Sequence, residues 1–306
     1  MANTVLVTGA YGFIGRHVAR TLSQTGCRVI GLGHGGWKPD EWRQWGIDKW
    51  YGAGVAIESL VAHVGVPHGV FHCAGGGSVG YSVTDPYGDY QRTVATTASL
   101  LEFLRLHAPE AALVYPSSVA VYGNVQRLPI AETDPVAPVS PYGVHKQMAE
   151  QMCASYARNF GLKVAVVRLF SVYGNGLRKQ LLWDACSRIS GGDTVFSGTG
   201  AEQRDWLHVE DAARLLALTM EHATTDCKVF NGGTGTGITV AQVLGEIVSA
   251  LGTGVPVTFT GQARQMDPVA YVADISRARA LGWKPGKQWQ EGVREYVDWF
   301  CSAEDG

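Results

Sequence analysis

Residues 5–15 read VLVTGAYGFIG, an apolar run that leads into glycines at positions 9, 12 and 15. The run is typical of a buried strand, and an amphipathic helical pattern begins directly after it. Glycines at such a turn allow a tight backbone and let a pyrophosphate approach the positive end of the helix. The stretch predicts a dinucleotide-binding turn, although a plain strand-to-helix turn would have the same spacing. The predicted cofactor contacts here are Gly9, Tyr11, Gly12, Phe13, Ile14, Gly15 and Arg16.

Outward from this turn, apolar runs alternate with helix-length segments. Strands are predicted at Val5–Val7, Arg28–Leu32, Gly69–His72, Leu113–Tyr115 and Val164–Leu169, and helices at Phe13–Ser23, Ile57–Val64, Pro86–His107 and Pro141–Phe160. This rhythm predicts an α/β fold, a doubly wound parallel (Rossmann) sheet with ligands at the carboxyl ends of its strands. The spacing changes near residue 170. We therefore expect a dinucleotide-binding domain over 1–170 and, over 171–306, mainly a smaller C-terminal α/β substrate lobe partly interwoven with the sheet.

The composition and charge of the chain bear on its partners, its location and its capacity to bind metal. The 306 residues are 46% hydrophobic and 17% charged, with a net charge of −2 and no Lys/Arg run, so nucleic acid is not an expected partner. No stretch approaches the roughly 20 apolar residues of a membrane span, and the start does not resemble a secretion signal. The six cysteines are scattered without metal-ligand spacing. We expect a cytoplasmic protein with reduced thiols and no metal.

The segment SPYGVHK, residues 140–146, is the most informative stretch. Ser140 suits a helix N-cap and Pro141 the first helical position, which places Tyr142 and Lys146 on one face. A phenol has a pKa of about 10, and a nearby ammonium together with the positive helix end favours its ionised form. The pattern predicts that Tyr142 exchanges a proton, although an exposed Tyr/Lys pair would share the spacing.

Ser118 supplies a third polar group. It lies just past the predicted buried strand Leu113–Tyr115, and an α/β sheet presents its ligand crevice at such a point. Its hydroxyl can polarise a substrate hydroxyl or carbonyl while Tyr142 exchanges the proton. The alternative is a turn that closes the strand through the same hydroxyl.

The second strand ends without an acid. Arg28–Leu32 leads into Gly33 and His34, where dinucleotide-binding proteins have an Asp or Glu that bonds the adenosine ribose. The absence of a carboxylate removes the repulsion against a 2′-phosphate, and His34 and Arg16 are candidate donors to it. Both could equally be solvated surface residues.

Together these motifs resemble the extended short-chain dehydrogenase/reductases that modify nucleotide sugars. The resemblance extends from about Thr4 to about Pro285. It also rests on Ala74-Gly75, Val79-Gly80, Ser82-Val83, Arg168–Gly174, Arg204–Asp211, Phe230–Gly233 and the stretch from Arg264 to Asp274. It implies hydride exchange at the sugar C4, with Ser118 and Tyr142 also contacting substrate and Lys146 orienting the cofactor ribose. It further implies that Ala74, Gly75 and Phe170 lie along the cofactor, Ser78 by the substrate, and Arg204 and Arg264 by its diphosphate.

The sequence departs from these relatives at several positions. Residues 118–120 lack the acidic trio that 4,6-dehydratases of the family use, so dehydration is disfavoured. Thr93 and Ser171 replace asparagines that are usual in the epimerases. Gly33 and the pair Ala53-Gly54 stand where the family often has acids, which favours an exchangeable NADP(H).

The sequence therefore favours an NADPH-dependent 4-ketosugar reductase acting on a nucleotide-diphosphate sugar. An NAD-dependent nucleotide-sugar 4-epimerase of the UDP-glucose/galactose type is the alternative, and a non-catalytic NADP(H)-sensing protein is a third possibility on the same fold. The resemblance also implies a homodimer that pairs through Pro86–His107 and Pro141–Phe160, although these segments could simply cover their own sheet.

Overall fold

The computed structural model describes residues 3–262 and 269–304. The chain divides into two compact units. The first contains residues 3–124, 132–169 and 212–231, and the second contains 125–131, 170–211, 232–262 and 269–304. A segment well beyond residue 170 thus returns to the first unit.

Strands and helices alternate through the first unit and continue into the second. The strands are β1 (Thr4–Thr8), β2 (Arg28–Gly33), β3 (Lys49–Gly52), β4 (Gly69–His72), β5 (Ala112–Ser118), β6 (Lys163–Leu169), β7 (Ser171–Tyr173), β8 (Val195–Phe196), β9 (Gln203–His208), β10 (Lys228–Gly232), β11 (Gly237–Thr239), β12 (Thr258–Phe259) and β13 (Ala270–Tyr271). The helices are α1 (Phe13–Gln24), α2 (Pro39–Gln44), α3 (Ile57–His63), α4 (Val79–Thr84), α5 (Pro86–Tyr90), α6 (Thr96–His107), α7 (Pro141–Phe160), α8 (Gln180–Ser190), α9 (Val209–Thr219), α10 (Val240–Leu251), α11 (Ser276–Ala280) and α12 (Trp289–Glu304).

The first unit is built on a seven-stranded sheet in the order β3-β2-β1-β4-β5-β6-β10. The pairs from β3 to β6 are parallel. The order reverses between β1 and β4, which is the switch point where such sheets leave a crevice for a ligand. The expected doubly wound α/β sheet is confirmed. Sequence patterns did not predict β3 or β10, because Lys49–Gly52 and Lys228–Gly232 are short and only partly buried.

Helix α7 carries functional residues to the carboxyl end of β5. Ser140 caps it by accepting a hydrogen bond from the Gly143 amide, and Gly161 ends it with φ +73°, so its predicted bounds are confirmed. Lys146, Ala149, Cys153 and Ala157 are buried along one face. This spacing of three to four residues keeps a single face of the helix against the sheet.

The predicted helix over Pro86–His107 has the predicted bounds, but it is not a regular α-helix throughout. The chain forms α5, then a π-helical segment at Gln91–Ala95, and then α6. Thr96 and Thr97 explain the interruption, because their hydroxyls donate to the carbonyls of Arg92 and Thr93, four residues earlier. Such side-chain bonds compete with the regular helical pattern and bend it.

The second unit has a small sheet centred on β9, which pairs in parallel with β7 and β13 and antiparallel with β11. The buried carboxylate of Asp205 ties this unit together by accepting from the amides of Thr234, Gly235 and Ala273. Over residues 3–262 and 269–304, no helix has the length and apolar character needed to cross a membrane. The same residues contain no group of three or more His, Cys, Asp or Glu side chains placed to hold a metal ion.

Candidate active site

The glycine-rich turn lies at the switch point of the sheet. Gly9 has φ +66°, and a Cβ there would lie 2.6 Å from the amide nitrogen of Ala74, which follows β4. A Cβ on Gly15 would lie 2.3 Å from the Gly9 carbonyl oxygen. Any larger residue at either position would therefore push β1, β4 and α1 apart. Gly12 caps α1 without a side chain, so the first amides of this helix face a ligand directly.

Hydroxyls and an imidazole hold β1 and β4 together at this turn. The ring of His72, at the end of β4, lies 2.7 Å from Thr8 Oγ1 and 3.2 Å from Thr97 Oγ1. The amide of Ala74 donates to Thr8 Oγ1 over 3.3 Å. Burial lowers the pKa of His72 to about 3, with help from Lys146, so the imidazole is neutral. This buried chain fixes the spacing of the two strands that flank the turn.

The three predicted catalytic side chains come together at the end of β5. The Ser118 side chain lies close enough to the Tyr142 phenol to lower the pKa of that phenol. Lys146 Nζ donates to the Pro116 carbonyl over 3.0 Å and lies 6.0 Å from the centroid of the Tyr142 ring. Ser118 Oγ also accepts from the Ala120 amide over 3.2 Å. The turn considered as an alternative role for Ser118 thus coexists with its contact to Tyr142.

Burial dominates the acid–base properties of this group. It raises the pKa of Tyr142, while the hydrogen bond with Ser118 lowers it and the Asp89 carboxylate raises it further. Burial lowers the pKa of Lys146 to about 8, against the opposing effect of Cys73, Asp89 and Glu150. The expectation that the chain alone lowers the pKa of Tyr142 is therefore wrong, because desolvation outweighs the helix end and the nearby ammonium.

Two polar residues beside this group were not predicted. Asp89 is fully buried, and its Oδ2 lies 2.6 Å from Nδ1 of His145, which stands between Tyr142 and Lys146 on α7. The spacing of His145 from Tyr142 was visible in the sequence. No sequence pattern distinguished Asp89, because the segment Pro86–His107 has the periodicity of a regular helix.

The other side of β1 is filled by aromatic rings. A Cβ on Gly31 would lie 3.0 Å from the indole of Trp50, and one on Gly33 would lie 3.4 Å from the same indole and from Gly9. The Trp37 ring packs edge-on against Trp50, with centroids 5.4 Å apart. The two glycines of β2 therefore make room for a tryptophan from β3. The contact at Gly31 is the tighter of the two, whereas a Cβ at position 33 would lie at an ordinary van der Waals distance.

Arg16 and His34 differ in their surroundings. The Arg16 guanidinium donates to the carbonyl oxygens of Tyr11 and Gly12 and lies 5.5 Å from the Trp37 ring centroid. Burial lowers its pKa. His34 is exposed beside Gly54. Arg16 thus braces the glycine-rich turn, and the role of either residue in binding a 2′-phosphate stays a prediction.

The remaining predicted contacts are dispersed. Ser78 caps α4 through the Tyr81 amide. Phe170 is buried in the second unit, where its amide donates to the Gly232 carbonyl. Arg204, on β9, donates to the Gln203 carbonyl and lies 5.9 Å from the Tyr271 ring centroid. Arg264 lies outside the described residues. The substrate and cofactor roles assigned to these four residues stay predictions.

The first unit fits a dinucleotide. Gly9 and Gly15 let β1, β4 and α1 pack closely at the turn, and the first turn of α1, which no side chain caps, suits a pyrophosphate. Beyond the turn, a Cβ on Gly75 would lie 3.7 Å from Lys146 Nζ. The ammonium is therefore close to the backbone of the loop that follows β4. Gly9, Gly12, Gly15 and Lys146 are the residues of this chain best placed to hold a nicotinamide cofactor.

Comparison with known proteins agrees with this geometry. The NAD dependent epimerase/dehydratase family matches residues 5–233. A UDP-glucose 4-epimerase from Rhizobium leguminosarum bv. trifolii is 31% identical over 324 residues, which cover 98% of each chain. The crystal structure of a UDP-glucose 4-epimerase from Thermotoga maritima with UDP-glucose has a TM-score of 0.88 at 29% identity, covering 98% of this chain and 99% of that one. The structure of a Thermus thermophilus UDP-glucose 4-epimerase complex with NAD has a TM-score of 0.87 at 28% identity, with the same coverage.

The match includes the glycine-rich turn, Ser118, Tyr142 and Lys146, and it extends over most of the chain. The relatives are also similar to this chain along nearly their whole length. The resemblance predicted from the motifs is therefore confirmed, and the chain belongs to the NAD dependent epimerase/dehydratase family.

Proposed function

We propose that this protein is a nucleotide-sugar 4-epimerase that retains NAD and acts on a UDP-hexose. The observation that carries the proposal is the grouping of Ser118, at the carboxyl end of β5, with Tyr142 and with Lys146 one helical turn further along α7. The similarity to UDP-glucose 4-epimerases supports the substrate class and favours this reaction over the reductase that the sequence favoured.

The side chains have distinct parts in this reaction. Tyr142 takes the proton of the sugar C4 hydroxyl and later returns it, and Ser118 orients that oxygen through its own hydroxyl. Lys146 holds a ribose hydroxyl of the cofactor and adds a positive charge below Tyr142. A nicotinamide held by the glycine-rich turn and Lys146 would supply the chemistry of reversible hydride transfer at C4. The proton returns from Tyr142 to the C4 oxygen, and return of the hydride to the opposite face of the C4 carbon would invert it without net oxidation.

NAD is favoured over NADP(H) by two observations. A similar structure carries NAD. Arg16, a candidate donor to a 2′-phosphate, already donates to two carbonyls of the glycine-rich turn. The NADPH-dependent 4-ketosugar reductase remains the second candidate because Gly33 places no carboxylate at the end of β2.

A label-retention experiment separates the candidates. Purified protein is incubated with UDP-galactose deuterated at C4, with no added nucleotide, and the product is analysed by mass spectrometry. An epimerase forms UDP-glucose that keeps the deuterium, because one bound nicotinamide both accepts and returns it. UDP-galactose already has an alcohol at C4, so a 4-ketosugar reductase forms no UDP-glucose from it, with or without added NADPH, and oxidises NADPH only when a 4-keto nucleotide sugar is supplied. A nucleotide-sensing protein oxidises no NADPH with either sugar. The Tyr142→Phe variant is the matched negative control.

Identification of the bound nucleotide gives an independent answer. Fresh protein is denatured and the released nucleotide is separated by chromatography. The proposal expects near-stoichiometric NAD. An empty site together with tighter binding of NADPH than of NAD would support the reductase instead.

We also propose that the protein is a homodimer. Exposed apolar side chains lie on two elements of the first unit that pack together, namely Tyr87 and Tyr90 on α5 and Val144 and Met148 on α7. Such a surface suits an isologous contact with a second copy. Sedimentation at micromolar concentration is expected to give twice the chain mass of 32.8 kDa. A single species at 32.8 kDa would contradict the dimer.

A further inference from the structure

A buried carboxylate lies beside the catalytic side chains and has no part in the mechanism above. Asp89 is on α5, and its side chain is fully buried. One oxygen, Oδ2, lies 2.6 Å from His145 Nδ1. The other, Oδ1, has no hydrogen-bond partner among the described residues. A buried carboxylate of this kind is costly unless its charge is useful.

Two consecutive glycines bring the loop after β4 close to this carboxylate and to Lys146. A Cβ on Gly76 would lie 1.9 Å from Asp89 Oδ1, and one on Gly75 would lie 3.7 Å from Lys146 Nζ. The Gly76 amide donates to Thr93 Oγ1 over 2.9 Å, which fixes the loop. The backbone can pass here only because both residues lack side chains. The carboxylate and the ammonium therefore lie under neighbouring residues of one short loop.

The nearest other acid is already in an ion pair. Glu150 lies one turn beyond Lys146 on α7, and its carboxylate forms a bidentate, buried ion pair with Arg168, with an Oε2 to Nη2 distance of 2.7 Å. The Arg168 charge opposes that of Glu150 at a distance. Glu150 still favours the ammonium form of Lys146, but of the two acids only Asp89 also raises the pKa of Tyr142.

We propose that Asp89, oriented by His145, is a positioning residue that supplies the counter-charge of Lys146 and sets the pH range in which Lys146 and Tyr142 work. The inference rests on the proposed role of Tyr142 in proton exchange. The negative charge favours the ammonium form of Lys146, which burial opposes. The same charge delays the ionisation of Tyr142. Asp89 therefore shifts both groups in the same direction on the pH scale.

Several other titratable groups surround these three residues. They are His145, Glu150 and Cys153 on α7, His72 on β4, Cys73 in the loop after it, Tyr115 on β5, Tyr90 on α5 and Arg168 on β6. Burial lowers the pKa of His72 to about 3 and raises that of Cys73 to about 12. Burial also raises the pKa of Tyr115 and Cys153 well above their usual values. These four side chains therefore stay neutral over the pH range in which the enzyme works. Their ionisation cannot produce the shift expected from Asp89.

The direct test follows the ionisation of Tyr142 rather than the reaction. The near-ultraviolet absorbance of tyrosinate is titrated in the holoprotein and in its Tyr142→Phe variant, and the difference isolates Tyr142. The same pair is prepared with Asp89→Asn. Loss of the carboxylate is expected to move the Tyr142 midpoint down by about 0.5 to 1 pH unit, because a charge a few ångströms away shifts a pKa by that order. An unchanged midpoint overturns the proposal.

Kinetics provide a second readout. In Asp89→Asn, both limbs of the pH profile of kcat are expected to move to lower pH, because loss of the carboxylate lowers the pKa of Tyr142 and that of Lys146. A residue with only a structural role would lower the plateau and leave both limbs in place, and that result also overturns the proposal. If the enzyme proves to be a reductase, or shows no turnover, the absorbance titration still decides the role of Asp89. The two proposals therefore fail separately.

Matched variants complete the design. Asp85→Asn removes an exposed carboxylate at the other end of α5 and keeps its helix cap, so it should leave the limbs unchanged. His145→Asn keeps a donor at the Nδ1 position and removes the ionisable ring, and the limbs are expected to stay within about 0.3 pH unit. An equal shift in His145→Asn would assign the effect to titration of His145 and overturn the proposal. Asp89→Ser, which relieves the contact with Gly76, replaces Asp89→Asn if the latter does not fold.

Discussion

The carboxyl edge of the seven-stranded sheet is built in two different ways on the two sides of β1. Towards β4 and β5 it is polar, with Thr8, His72, Ser118 and Lys146 bound to one another or to the backbone. Towards β2 and β3 it consists of glycines covered by rings, with Trp50 against Gly31 and Gly33. Both sides belong to the same unit and flank the same glycine-rich turn.

The difference reflects what each side has to do. Proton exchange needs groups held in fixed positions, and buried hydrogen bonds to neighbouring strands provide this. The side towards β2 and β3 has only to form a surface of the right shape for a ligand, and aromatic packing does so with few hydrogen bonds. A substitution on the polar side should therefore change chemistry, whereas one on the aromatic side should change affinity and selectivity. The following predictions test this contrast, from the largest effect to the smallest.

Tyr142→Phe should cause the largest loss. It removes one hydroxyl, so the fold and cofactor binding remain while turnover falls by about 10² to 10⁴-fold, the usual contribution of a positioned acid or base. Turnover of UDP-galactose and binding of NAD are measured on the same preparation. Tyr156→Phe, which removes a partly exposed hydroxyl from the same helix, is the matched control. Turnover within a few-fold of the parent in Tyr142→Phe would remove Tyr142 from the mechanism.

Gly9→Ala should disrupt the turn that both sides share. The residue has φ +66°, and its new Cβ would contact the Ala74 amide at 2.6 Å. A positive φ alone costs a non-glycine residue about 1 to 3 kcal/mol, and the contact adds displacement of the β4 end. Gly26→Ala shares the positive φ, at +84°, but has nothing within 4 Å. Denaturant unfolding should therefore show a larger loss for Gly9→Ala, with loss of NAD binding only in that variant.

The polar side was largely predictable from the sequence, and the aromatic side was not. Ser118, Tyr142 and Lys146 lie at the ends of long elements with clear periodicity, and helix caps fixed the register of α7. Trp50 lies on a strand of four residues with little burial, and its partner glycines are nearly twenty residues away. Asp89 was not predicted because its surroundings are made by His145 on α7 and by the loop at Gly76, which belong to other parts of the sequence. Contacts between distant residues decided each of these features, and periodicity does not encode such contacts.

The polar side should also respond to pH. The pKa of Lys146 is about 8, below its usual value because of burial. If its ammonium is needed, cofactor affinity and turnover should fall by up to about tenfold per pH unit above that value. Folding stability should change in the opposite sense. Between pH 8 and 10.5 the unfolded chain carries the extra proton on this lysine, so its contribution to the free energy of unfolding rises with pH. The raised pKa values of buried cysteines act in the opposite sense over part of this range, so the contribution of Lys146 is taken as the difference in unfolding free energy between the parent and Lys146→Met. A difference that falls from pH 8 to 10.5 would contradict this assignment.

Gly33→Asp should alter selectivity on the aromatic side. The new Cβ would lie 3.4 Å from Gly9 and Trp50, a distance that small shifts accommodate. The carboxylate would accept from a ribose 2′-hydroxyl and repel a 2′-phosphate, so the ratio of NAD to NADP affinity should rise by about tenfold, the value of one charge-assisted hydrogen bond. Gly33→Asn has nearly the same shape without the charge and should change this ratio less. Equal ratios in the two variants would show that the shape of the side chain at position 33, and not its charge, determines the preference between NAD and NADP.

The smallest effect is expected at Arg16, which either braces the glycine-rich turn or binds a 2′-phosphate. Its guanidinium donates to the Tyr11 and Gly12 carbonyls and lies among the rings of Tyr11, Trp37 and Trp45. If it braces the turn, Arg16→Gln should weaken NAD and NADP binding by the same factor of about two to five, since one such bond contributes about 0.5 to 1.5 kcal/mol, part of which the new amide restores. Arg20→Gln is the matched control, because Arg20 stacks on Trp45 at 3.9 Å and donates to the Gln44 carbonyl on the adjoining helix. Calorimetric titration of each variant with NAD and with NADP distinguishes the bracing role of Arg16 from a role in binding a 2′-phosphate. A loss of NADP affinity alone would make Arg16 a phosphate ligand, and the aromatic side would then take part in choosing the cofactor by charge as well as by shape.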